Sequence, residues 1–161
     1  MSTVEEHERP QDRSEEEQER LNRQMMELLN ELRVAMPGVQ VLFGFLLTVP
    51  FQQRFRQVTE FQETVYLVAL VSAAVATAFL IGPSAYHRMT FQAHDKPNVI
   101  GIGTAQMLVG LGALGVAMNG AVLLVTDVLF PAGTVTVTVA LLASLYATLW
   151  FGLGIVRRMQ K

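Results

Sequence analysis

Two arginines and two carboxylates sit at the edges of otherwise uncharged runs: Arg54 and Arg56 between the first and second run, Glu63 at the start of the second, and Asp127 after the third. An ionised group is costly away from water, so charges at such edges are the first places to look for pairing, gating or cation binding. No ionisable residue lies at the centre of a run. Glu63 follows Thr59-Glu60-Phe61-Gln62, a T-x-x-Q capping box, and reads first as an acid in the first turn of a helix. Asp127 leads through Val-Leu-Phe into Pro131 and reads as a solvated carboxylate at a helix end. The remaining chemistry for this set is pairing of Arg54 or Arg56 with Glu60, Glu63 or Asp127.

The neutral polar residues within the runs include the amides Gln40, Gln106 and Asn119. A buried amide in an apolar medium either ties helices together, contributing around 0.6 kcal/mol and at most about 2, or lines a polar path. His87 and His94 lie in a proline-bounded link without enough further ligands for a metal site, so no metal is expected. Cysteine is absent, which excludes disulfides and thiolate chemistry. Gly101-Ile-Gly103 resembles the opening of a dinucleotide fingerprint, yet no strand precedes it, so it reads as a packing site. With no nucleophile and base, no metal cluster and no paired carboxylates, the chain reads as a non-enzyme without a cofactor.

The elements that must position these residues follow from the charge distribution. Ten of the 14 acidic residues fall within the first 31 positions, with four arginines, giving a net charge of −6 there and +4 over the rest. The chain therefore has an acidic head and an apolar, weakly basic body, and no nucleic-acid partner is expected. No apolar h-region of a cleaved signal peptide opens it. Residues 1–13 read as a disordered acidic tail. Residues 14–33 read as a cytoplasmic amphipathic helix: Ser14 and Glu17 fit a capping box, and Leu21, Met25, Leu28 and Leu32 recur at steps of 4, 3 and 4. That stripe either covers the chain's own body or forms a short coiled-coil seam between two copies. Its mostly acidic polar face disfavours an anionic lipid surface.

Residues 34–158 read as a four-span membrane domain, with spans at about 35–52, 63–82, 99–125 and 134–156. Soluble helices show a polar face, and these show none. The fold expected is all-α, a four-helix transmembrane bundle preceded by the amphipathic helix. In the first span Pro37 reads as a first-turn proline with Gly38 permitting a change of direction, while Pro50 frees the carbonyl of Leu46 with Thr48 nearby to help. Small residues at steps of three and four, Ala69, Ala73 and Thr77 on span two and Gly110, Gly112, Gly115, Ala117, Gly120 and Ala121 on span three, predict close packing of these two, within one chain or between chains. Eight Lys and Arg flank one side of the spans and two, Arg54 and Arg56, the other, which places both termini of a multi-pass membrane protein in the cytoplasm.

The run ELRVAMPGVQVLFGFLLTVPFQQRF, with AYHR after the second span and VLLVTDVLF after the third, resembles a family of small uncharacterised integral membrane proteins of actinobacteria, over residues 31–158. Members are often labelled sodium:proton antiporters. The resemblance implies the four-span architecture and a place in a bacterial plasma membrane, and carries no established activity. Exchange of that kind normally uses a carboxylate at the bilayer midplane between broken helices, and neither Glu63 nor Asp127 is so placed. The reading that results is an oligomeric or partner-binding membrane protein, self-associating through Leu21, Met25, Leu28 and Leu32 or through the glycine-rich third span. The alternative is a small transporter or channel subunit.

Overall fold

The computed structural model describes residues 10–89 and 96–152, all helices and their short connections, with no strand among the described residues. Helix α1 is Pro10–Thr48, α2 is Glu60–Met89, α3 is Lys96–Leu129 and α4 is Ala132–Tyr146, continued by a π turn, Ala147–Gly152. Among the described residues four helices are long and apolar enough to cross a membrane: Glu19–Phe51, Glu60–Ala85, Gly101–Leu129 and Ala132–Trp150. Their outward faces are apolar: Val41 is 74% exposed and Leu141 66%. Tyr66 aside, no residue with a polar or charged side chain is fully buried among the described residues. A soluble bundle inverts that pattern, because water penalises such a surface.

At 1.5 Å per residue, the 39 residues of α1 reach about 58 Å and the 30 of α2 about 45 Å, against roughly 30 Å of hydrocarbon. The helices are therefore longer than a bilayer core, and the excess is used at the N-terminal end of the bundle. There Met25, Leu28 and Leu32 are buried. Leu28 and Leu32 join one core with Val39, Ala76, Leu80 and Leu114. Of the stripe Leu21, Met25, Leu28 and Leu32, the last three are thus buried within the chain and Leu21 is half-buried.

Pro37 does not stand at a first turn: α1 runs through it without a break. Gly38 has no positive φ and makes no turn. Both residues are exposed, so the proline ring projects away from the bundle. The chain turns instead after Thr48, through two 3₁₀ segments, Val49–Phe51 and Gln53–Gln57.

The main interface joins α2 and α3, with α1 packed across both. Its residues are small: Ala69 and Ala73 are fully buried, as the spacing predicts, Thr77 of the same predicted face is half-buried, and Ala76 is buried beside them. A Cβ built on Gly120 would lie 2.8 Å from Ala69 Cβ, and one on Gly110 2.8 Å from Leu80 Cγ. In an apolar medium helices gain little from sequestering hydrocarbon, so backbone proximity of this kind supplies the attraction. Helix α4 packs on α3 and buries only Val135.

Candidate functional site

The end of the bundle opposite the buried leucines carries a polar clamp. Thr59 and Gln62 form the reciprocal capping box: Gln62 N–H donates to Thr59 Oγ1 at 3.2 Å, and Thr59 N–H to Gln62 Oε1 at 3.1 Å. The same amide has its NH₂ left over, and Nε2 donates to Asp127 Oδ2 at 2.7 Å. Asp127 is half-buried in the last turn of α3, at the helix end where its sequence context sets it. A carboxylate at a helix C-terminus is disfavoured by the dipole, but this one lies beside the N-terminus of α2, where negative charge is favoured. Glu63 is exposed, one turn into α2. The side chains of Arg54 and Arg56 lie outside the described residues, as does the Ser14–Glu17 capping box at side-chain level. The histidine link lies there too.

Gln62 as the partner of Asp127 escaped the sequence reading, because a capping-box glutamine appears fully used by its own backbone. Its unused NH₂ is the signal.

A second link lies one turn deeper. Pro50 has no N–H, so the Leu46 carbonyl loses its partner along the helix, as the sequence implies. Thr48 does not fill that place: its hydroxyl donates to Phe45 O at 2.7 Å. Tyr66 does, donating its hydroxyl to Leu46 O at 3.1 Å in a buried position. Phe55 meets the Tyr66 ring edge-on at 5.1 Å and 72°.

The three amides are not brought together. Gln40 points outward from α1, exposed, with no hydrogen bond to any described residue. Gln106 lies between α3 and α2, its Oε1 buried without a donor and within 2.8 Å of where a Gly82 Cβ would be. Asn119 donates Nδ2 to Gly115 O of its own helix at 3.0 Å, and its Oδ1 is buried without a donor. No group of three or more metal-ligating side chains occurs among the described residues. Gly103 packs against Pro83 and Leu28, the packing role read from the sequence, whereas Gly101 faces open space.

An apolar groove runs along α3 between α2 and α4. No curated protein and no solved structure matches the chain. A family model does match over residues 14–154, which takes in every described helix except the first residues of α1. Four apolar helices with small-residue packing and a polar clamp at one end are thus the described structure of a member of that family, and the chain belongs to DUF6328, a family of unknown function.

Proposed function

We propose that the chain is a non-enzymatic integral membrane protein of the bacterial plasma membrane, both termini cytoplasmic, that works by binding another chain within the bilayer, foremost a second copy of itself. The supporting observation is Gln40. It lies on the exposed face of α1 beside Val41, Gly44 and Phe45, within the first apolar span, and its side chain makes no hydrogen bond to any described residue. An amide carries two donors and an acceptor with two lone pairs, so two copies related by a two-fold axis satisfy each other. Gly44, one turn on, has nothing within 4 Å of a built Cβ, which leaves room for a second backbone. Of the two association surfaces read from the sequence, the stripe has Met25, Leu28 and Leu32 buried in the chain, and the third span turns Gly110 and Gly120 toward α2.

Replacing Gln40 by leucine removes the amide while keeping the span apolar. Self-association measured by energy transfer between labelled chains in vesicles should weaken about 3- to 20-fold, the range set by an interhelical hydrogen bond of roughly 0.6–1.7 kcal/mol. Undiminished transfer at equal dilution in lipid would refute the α1 interface.

A second reading, a small cation:proton transporter, draws on Asp127, the half-buried carboxylate held by Gln62. Under that reading sodium dissipates a proton gradient across proteoliposomes and Asp127→Asn abolishes it. Under the reading preferred here Asp127→Asn keeps a neutral acceptor for Gln62 and lowers stability by no more than about 1 kcal/mol, with no change in gradient decay.

A further inference from the structure

Helix α1 has no joint between its charged half and its apolar span, since Pro37 lies inside it and Gly38 makes no turn. A face exposed in one half therefore continues into the other. The face that carries Gln40 and Gly44 is traced back by alternating steps of 4 and 3 to Asn30, Met26, Arg23 and Glu19. All six residues are exposed, Met26 to 69%. They lie apart from Met25, Leu28 and Leu32, which seat the same helix on its own bundle. Steps of 4 and 3 average 3.5 residues, the repeat that holds one stripe against a parallel partner helix over many turns.

Spacing alone names no partner; the residue types do. Asn30 and Gln40 are amides, and neither makes a hydrogen bond to a described residue. Each carries donors and acceptors together, so each can pair with its own symmetry mate. Copies inserted with the same orientation can align α1 with α1 only in parallel. In that arrangement the register that joins Gln40 to Gln40 also joins Asn30 to Asn30, about 15 Å away along the helix. A slip of one turn separates both pairs. Glu19 and Arg23 carry opposite charges on the stripe, so the carboxylate of one copy lies one layer from the guanidinium of the other, twice over by symmetry. A partner face of a single charge sign would be repelled by one of the two. An amide within such a seam fixes register and strand number at some cost in stability. Arg33, on the same stripe and exposed, meets its own mate, and its long stem lets the charged head turn to water.

We propose that the second copy lies along this whole face of α1, parallel and in register, so that pairing through Gln40 continues outside the span through Asn30 and the reciprocal Glu19–Arg23 pairs. The inference rests on the Gln40 reading given above and extends it. It assigns the charged half of α1 to the same two-fold interface rather than to a separate partner. The helix then has two seams: Met25, Leu28 and Leu32 hold it to its own bundle, and the stripe beside them holds the copy.

The chain has no cysteine, so one introduced singly is its sole thiol. Met26→Cys and Asn30→Cys, in full chains reconstituted in phosphatidylcholine vesicles and mildly oxidised, should form disulfide dimers about tenfold faster than Gln24→Cys and Glu31→Cys, because the bond closes only with Cβ atoms within roughly 4.5 Å. Gln24 and Glu31 are equally exposed but lie on the other side of the exposed arc. Charge reversal reads the pairs between chains. Glu19→Arg chains and Arg23→Glu chains, labelled separately, should prefer each other over themselves about threefold by energy transfer, the scale of exposed ion pairs. Equal closure at all the cysteines, faster closure at Gln24→Cys and Glu31→Cys, or charge-reversed chains that mix without preference would overturn the proposal. If no cysteine in the charged half closes while Gln40→Leu still weakens association, the pairing stops at the bilayer: the extended seam fails and the Gln40 reading stands. If Gln40→Leu associates undiminished, that reading fails and takes the seam with it.

Discussion

Gly120→Ala will destabilise the bundle by about 1–3 kcal/mol, and Ala69→Gly in the same chain will restore most of the loss. The added methyl would sit 2.8 Å from Ala69 Cβ and 3.5 Å from Ala69 Cα. Alanine has no rotamer by which to yield, so the clash falls on the backbones of α2 and α3. Helix propensity alone acts the other way, favouring alanine over glycine by about 1 kcal/mol, so a loss of stability isolates the steric term. Gly101→Ala is the internal control. Nothing lies within 4 Å of a Cβ there, and the same propensity should appear as a gain of roughly 0.5–1 kcal/mol. Reversible unfolding of the four chains in mixed micelles measures all of these. If Gly120→Ala is neutral or Ala69→Gly fails to rescue it, the close approach of α2 and α3 is wrong.

Tyr66→Phe will cost about 1–3 kcal/mol, the penalty for leaving the buried Leu46 carbonyl without a donor. The cost depends on Pro50, because the proline is what removes the carbonyl's partner along the chain. Pro50→Ala supplies a backbone N–H at that position, so in its background Tyr66→Phe should lose most of its effect. A double-mutant cycle on the same micelle unfolding reads the coupling directly. Additive losses would show that the tyrosine hydroxyl contributes through something other than Leu46.

The contrast between these sites shows which physics is visible in a sequence. The apolar runs and the small residues of α2 and α3 are periodic, and periodicity survives without coordinates: Ala69, Ala73, Gly110 and Gly120 fall in the interface their spacing implies. The capping box at Thr59 and Gln62 is local and was equally legible. Long-range partnerships were not. Proline chemistry identifies the orphaned Leu46 carbonyl, but the choice between Thr48, two residues away, and Tyr66, on another helix, depends on how α1 crosses α2. The link from Gln62 to Asp127 spans 65 residues, and no spacing rule reaches that far. Nor does spacing say which way a lone polar group points: Gln40 faces outward while Gln106 faces α2, although both interrupt comparable apolar stretches. At Pro37, a residue that commonly opens or breaks helices lies on the exposed side of a continuous one.

That continuity makes α1 one element with two unlike ends. The same helix that presents Glu19, Glu27 and Glu31 on its exposed N-terminal part carries the Leu46 carbonyl near its other end. Met25, Leu28 and Leu32, interleaved with those acids, seat that part against the bundle, so one stretch of helix is anchored on one face and charged on the other. Pro37 leaves the Arg33 carbonyl without its N–H partner and Pro50 does the same to Leu46, yet only the second is closed by another helix, through the Tyr66 hydroxyl.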